Sequence, residues 1–253
     1  MSLFCLGFPD QAVERCNAAR AESRRLAHLP SLAVSLAIGT RLLSLVGDYA
    51  ALDEWTDELV TVAAERGFLH WSAMAPIYRG WVKVKSGDVT DGICLLRRGL
   101  DAFRLTWTKV HVPYFTALLA TAFDIVGRIE EASTLLDDAL QMVDRTGERW
   151  FAAELNRLKG QLLLRQGQPE AAEELYRKAL AIARDQEAKL WELRAAATLA
   201  RLLRDKGRRV EARNLLAPVY GWFTEGFDTR DLKEAKALFD ELAALPERTT
   251  FPF

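Results

Sequence analysis

The chain is 253 residues long, half of them apolar, with 34 Lys and Arg against 35 Asp and Glu. A formal charge of −1 excludes an overall electrostatic grip on nucleic acid or an anionic membrane. Cys5, Cys16 and Cys94 form no CxxC pair and sit in apolar helical patterns. They read as small buried hydrophobes in a reducing, cytoplasmic setting, with no metal and no cofactor implied.

Gly7, Gly47, Gly87, Gly127, Gly167 and Gly207 stand forty residues apart, and a fixed period in this range marks a solenoid of repeated supersecondary units. Relative to each glycine, the column seven residues earlier holds Thr40, Gly80, Ala120, Gly160 and Ala200. The column five residues later holds Ala12, Leu52, Gly92, Ala132, Ala172 and Ala212. Small residues at these offsets let two helices approach closely, and a left-handed glycine between them ends the first helix.

In chain order, Met1 to Leu6 supply only the last turn or two of a first helix, too short and too poor in basic residues for a secretory signal. A helix follows over 10–29, so residues 1–29 form a truncated first repeat. That helix is expected to expose an apolar patch and to self-associate, or to pack on an upstream domain. Five hairpins then fill 30–227, pairing 30–46 with 49–66, 69–86 with 89–105, 113–126 with 129–146, 150–166 with 169–187, and 190–206 with 208–223. The apolar run Leu32–Ile38 meets Arg41 within three residues, which argues against a membrane span. Pro9 and Pro169 suit a first helical turn. Leu232, Ala235, Leu238, Phe239 and Leu242 share one face of a capping helix within 228–245, and residues 246–253 are expected to be a disordered tail.

The fold class is therefore all-α, a right-handed α-solenoid of about six antiparallel helix pairs. No phosphate loop, dinucleotide fingerprint, HExxH or GxSxG motif occurs, so an enzyme is not expected. His28, His70 and His111 lack ligand spacing. Asp137 with Asp138, and Glu173 with Glu174, read as solvated helix faces rather than acid–base pairs. Trp71, Phe151 and Trp191, with His111 in the same register, recur at the repeat spacing and read as packing between repeats.

These offsets resemble the tetratricopeptide repeat (TPR), although that family's usual period is thirty-four, its Trp column is here Leu36, Pro76, Thr116, Asn156 and Ala196, and its closing proline is missing. The segments GERWFAAELNRLKGQLLL (147–164), AKLWELRAAATLARLL (188–203) and LLAPVYGWFTEGFDTRDLKEAKALFDEL (215–242) are similar to the C-terminal TPR-like region of bacterial multidomain adenylate/guanylate cyclase–ATPase or LuxR/MalT-like signalling proteins. The cyclase's metal-binding carboxylates and the ATPase's phosphate loop are not among these residues, so no catalysis carries over. The resemblance implies a concave groove lined by first helices. Its groove columns map to Met74, Ile77, Trp81 and Tyr114 in the early repeats and to Arg157, Gln161, Arg194, Arg201 and Arg204, with Glu154, in the late ones.

An apolar, aromatic half beside an arginine-rich half suits a peptide with a hydrophobic anchor and a carboxylate or phosphate; the arginines could equally pair with neighbouring Glu and Asp. The expected role is a non-catalytic interaction scaffold for a protein or peptide partner, among them an upstream cyclase or ATPase domain. The alternative is a small-molecule effector sensor, with Trp81 and Tyr114 as stacking surfaces.

Overall fold

The computed structural model describes residues 1–106 and 108–244, and every described regular element is an α-helix. The tail at 246–253 lies outside these residues. In chain order the helices are α1 (Ser2–Cys5), α2 (Pro9–Arg25), α3 (Leu29–Val46), α4 (Tyr49–Arg66), α5 (Leu69–Ser72), α6 (Met74–Lys85), α7 (Val89–Leu105), α8 (Val112–Ile125), α9 (Ile129–Thr146), α10 (Ala152–Arg165), α11 (Pro169–Asp185), α12 (Lys189–Asp205), α13 (Arg209–Tyr220) and α14 (Arg230–Ala243). Each packs against the next, and the inner helices also touch the one two places on: α8 on α10, α10 on α12, and α12 on α14.

All six comb glycines have positive φ, from 75° to 98°, which explains the period: each ends an inner helix where an L side chain is disfavoured. A second set of left-handed residues, also spaced by forties, ends the outer helices at Ala27, Gly67, Gly147 and Glu187. Only two of these four are glycines, so the sequence does not display this second comb.

Differences from the expected helices have local causes. The helix expected over 69–86 breaks at Ala73, because Pro76 has no N–H for the carbonyl of Ser72 and its ring crowds that carbonyl. The outer helix expected to end at 223 stops at Tyr220, two residues beyond Pro218. Cys94 is exposed on α7, whereas burial was expected. Helix α3 is, by length and composition alone, long and apolar enough to cross a membrane. Here it packs between α2 and α4 with Leu32, Leu36, Leu42 and Leu43 in the core.

The main departure from an open array is that it closes on itself. The Phe8 ring lies 5.5 Å from that of Trp222, and Phe4 meets Trp191 edge-on at 5.7 Å. Gln11 donates to both oxygens of Glu225, from its backbone N–H at 3.1 Å and from Nε2 at 2.7 Å, and the Gly226 N–H donates to Asp10 Oδ2 at 2.9 Å. A Cβ on Gly226 would lie 2.3 Å from Pro9 Cγ, and one on Gly7 2.6 Å from Trp222 Cζ3. The first coil is thus seated on the last through a seam too close for side chains at these two glycines.

Candidate functional site

Closure divides the concave face into separate recesses. Across its middle Tyr114, Phe151, Trp191 and Phe4 meet edge to face at 5.2 to 5.7 Å, with Trp150 tilted against Tyr114 at 5.6 Å, geometries favoured by aromatic quadrupoles. Phe151 and Trp191 therefore serve packing, as their register suggested, while Trp71 packs instead on Phe68 at 4.7 Å. The aromatic plug separates two cavities.

The first, about 320 Å³, lies among the inner helices α3, α6, α8, α10 and α12 and is bordered by α14. Of the groove residues read from the sequence, Trp81, Tyr114, Glu154, Arg157, Gln161, Arg194 and Arg201 line it. Met74 and Ile77, 1% and 0% exposed, are corrections to that reading: both sit in the core, Ile77 pressed against Gly99, and neither reaches the cavity. Arg204 also lies outside it, bound to Asp205 at 2.9 Å and Glu241 at 2.8 Å. Extending the comb to position 247 places Glu234 in the column of Tyr114, Glu154 and Arg194. That signal could have brought α14 into the site from sequence alone.

Arg194 organises the cavity's charge. It donates to Asp231 from Nε (2.9 Å) and Nη2 (2.7 Å), to Glu154 Oε2 from Nη1 (3.2 Å) and to the Leu45 carbonyl from Nη2 (2.8 Å), and its guanidinium lies 5.0 Å from the Trp191 ring centroid. It ties α3, α10, α12 and α14 together. Burial opposes the charge on Glu154, 2% exposed, but Arg157 and Arg194 outweigh it and hold the carboxyl below its usual range. Arg157 grips the same carboxylate at 2.7 and 3.0 Å, and Arg201 meets Glu234 at 3.2 Å. The late-repeat arginines are thus paired within the chain, the second of the two roles the sequence allowed them, and a ligand carboxylate would have to compete for them.

Lys85, which the groove columns missed, is different. It makes no ion pair with a described residue, lies 4.3 Å from the Trp81 ring centroid, and has its ammonium pushed below the ordinary lysine range by burial and then by Arg230 and Arg194. Five cations and three carboxylates line this cavity, so it carries a positive excess.

On the outer surface, the acidic pairs behave unequally. Asp138 and Glu174 are exposed, but Glu173 is not a solvated face residue: Arg177, Lys206 and Arg208 all bind it, at 2.8, 3.0 and 2.9 Å. Their bonds, led by that of Arg177, hold its carboxyl down to about 2.

A seam-closed stack of antiparallel helix hairpins with left-handed residues at both turns defines a TPR-like repeat solenoid. The tetratricopeptide repeat family model matches residues 115–185 and 151–220. The fold is similar to that of BtubC (BKLC) from P. vanneervenii, at TM-score 0.59 and 15% identity over 97% of each chain, and to the apo form of RapI, at TM-score 0.54 and 10% identity over 93% of this chain and 97% of that one. It also resembles the TPR-like repeats of a kinesin light chain from Podosopora anserina, at TM-score 0.50 and 18% identity over 72% of this chain and 90% of that one. An uncharacterized protein of Rhizobium meliloti (strain 1021) is 25% identical over 148 residues, 58% of this chain but 14% of that protein. The chain therefore spans only a small part of that relative's length.

Proposed function

We propose that the chain is a non-catalytic interaction scaffold that seats an acidic segment of a partner protein against Lys85 and Trp81, at the mouth of the cavity bordered by α14. The observation that carries this reading is Lys85, a cation without a carboxylate partner among the described residues, in a cavity whose other cations are committed to the chain's own acids. The TPR-like fold supports a scaffold role, and no catalytic constellation accompanies it. The long Rhizobium relative, with a similar segment in a much larger protein, supports a module attached to further domains; the resemblance of residues 147–164, 188–203 and 215–242 to the C-terminal region of cyclase–ATPase signalling proteins is the ground for reading those domains as an upstream cyclase and ATPase of a cytoplasmic regulatory protein. It also leaves self-association through the first hairpin as a further contact of that module.

The test is fluorescence anisotropy with a set of fluorescein-labelled hexapeptides rich in Glu and Asp, against Gln and Asn counterparts of the same sequences. Acidic peptides should bind, and Lys85→Glu should abolish binding without change in helicity. Equal binding of the amide counterparts, or binding indifferent to Lys85→Glu, refutes the proposal.

A second reading, a small-molecule effector sensor, is favoured by the closure itself, since it leaves two recesses of about 320 and 430 Å³, each of a size for one small ligand. Thermal-shift screening against metabolites tests it, because a ligand bound only by the folded chain raises Tm by mass action.

A further inference from the structure

Beyond the aromatic plug, at the end of the array where the outer helices turn into the inner ones, lies a second cavity of about 430 Å³. Its wall includes Cys5 of α1 and Leu6 after it, Arg41 of α3, His111 before α8, Trp150 before α10, and Trp191 of α12. It brings residues 1–6 against those of the later coils, and so depends on the closure of the array.

Arg41 is the anomaly in this wall. It is 7% exposed and makes no ion pair, and its Nε is sealed from water without a well-formed hydrogen bond, beside the Tyr78 hydroxyl, which is likewise buried without a partner. A buried guanidinium ordinarily sits opposite a carboxylate or phosphate, because an uncompensated buried charge is strongly unfavourable. Arg194, on α12, has two carboxylates. His111 Nδ1, on the same wall, is also buried without a well-formed hydrogen bond, its nearest carboxylate oxygen being Glu148 Oε1 at 3.5 Å. The neighbouring carboxylate, Glu148, does not line the cavity. Its Oε1 is taken by the His111 N–H at 2.7 Å and by Trp150 Nε1 at 2.9 Å, and its Oε2 is buried without a partner. The rest of the wall is mostly aromatic or apolar, with Ser2 and Gln186 as its other polar side chains and Met1, the N-terminal residue, beside them, and burial pushes the Cys5 thiol up to about 11, so Cys5 is neutral and supplies no anion.

We infer that this cavity binds a small apolar monocarboxylate, aromatic or aliphatic, whose carboxylate accepts hydrogen bonds from Arg41, with His111 beside it, and whose body lies against Trp150 and Trp191. The one guanidinium of a mostly apolar pocket matches one negative charge; a phosphate dianion would need more positive charge than Arg41 alone supplies. The sequence held a trace of the site, since Arg41 stands in the same groove column as Trp81, Gln161 and Arg201, six residues before a comb glycine. The inference rests on the small-ligand reading and adds to it the ligand's chemistry and place.

The experiment titrates the full chain with 4-bromobenzoate and, separately, with 4-bromobenzamide, following tryptophan fluorescence, which bromine quenches, and Tm. The acid should quench saturably and raise Tm, and the amide should do neither. Arg41→Met should weaken the acid roughly thirtyfold or more, the loss of a charge-assisted bond pair, while its own Tm without ligand stays equal to or above that of the parent chain. Lys85→Glu, in the other cavity, should leave the acid's affinity unchanged. Should Arg41→Met not fold, the acid-against-amide contrast on the parent chain decides alone. Equal binding of acid and amide, or no response to the acid, overturns the assignment. Binding of the acid that depends on Lys85 and not on Arg41 overturns this site while leaving the small-ligand reading standing.

Discussion

Gly80→Ala isolates the small-residue crossings that hold each hairpin together. A Cβ at Gly80 would lie 2.8 Å from the Gly92 carbonyl oxygen and 2.9 Å from the Leu96 nitrogen, where ordinary contact begins at 3.4 Å. Both obstacles are backbone, and the contact is reciprocal: a Cβ on Gly92 would lie 2.8 Å from the Gly80 oxygen, and one on Gly99 2.8 Å from Ile77 N. Helices α6 and α7 therefore have to part by several tenths of an ångström along two turns, forfeiting close contacts throughout the crossing. Overpacking of this kind costs about 1–3 kcal/mol, and rigid neighbours favour the upper part of that range. Against it stands a gain of about 1 kcal/mol from replacing a mid-helix glycine by alanine. The net expectation is a loss of about 1–2 kcal/mol, or a Tm lower by roughly 3–6 °C for a chain of this size, read by circular dichroism at 222 nm. The sign is the test. A variant more stable than the parent chain would show helix propensity acting alone and would refute the tight crossing. Gly127→Ala provides the contrast, since nothing lies within 4 Å of its Cβ and only the left-handed backbone, φ +78°, resists; its cost should be about 1–2 kcal/mol.

Arg194→Ala is expected to cost about 3–5 kcal/mol, because it leaves Glu154 buried beside Asp231 without their shared cation; urea denaturation measures it. Gly226→Ala combines a left-handed φ of +78° with overlap on Pro9 and should open the seam. Hydrogen exchange should then rise over residues 1–12 and 222–229 while 115–185 stay protected. Glu173 has its carboxyl held down to about 2 against an ordinary 4.5, so its contribution to stability is complete above about pH 4.5 and is lost as pH falls toward 2. Glu173→Gln should flatten the fall of Tm across that window, and an unchanged slope would show that the Arg177, Lys206 and Arg208 cluster adds nothing.

The repeat, its hairpins and its crossings were legible because each depends on residues within one period: the comb glycine, the small residues seven before and five after it, and the prolines at helix starts. Ala27 and Glu187 hid the second left-handed set, since their backbone is dictated by the turn and not by their own preference. Pro76 was visible, yet its helix break was absorbed into a longer reading of 69–86. The groove columns named seven cavity residues but placed Met74 and Ile77 there too, because a column gives the direction of a side chain and not how closely the neighbouring helix covers it. Charge pairing across repeats, as between Arg194 and Asp231, joins positions thirty-seven apart and leaves no local mark.

The seam was least legible of all, since Asp10 and Gly226 are 216 positions apart and nearest-neighbour coupling, the ordinary rule for solenoids, gives no reason for the ends to meet. Their meeting changes the energetics of everything inside. In an open array each repeat answers only to its neighbours, whereas here Leu45 and Arg194, or Arg41 and Trp191, face each other across the ring. A ligand held between Arg41 and Trp191 therefore binds the closed form alone and stabilises the seam by linkage. By the same reciprocity Gly226→Ala, more than twenty residues from either wall of that cavity in sequence, should weaken a carboxylate bound there. An affinity untouched by a demonstrably opened seam would mean that the two ends do not build the cavity together.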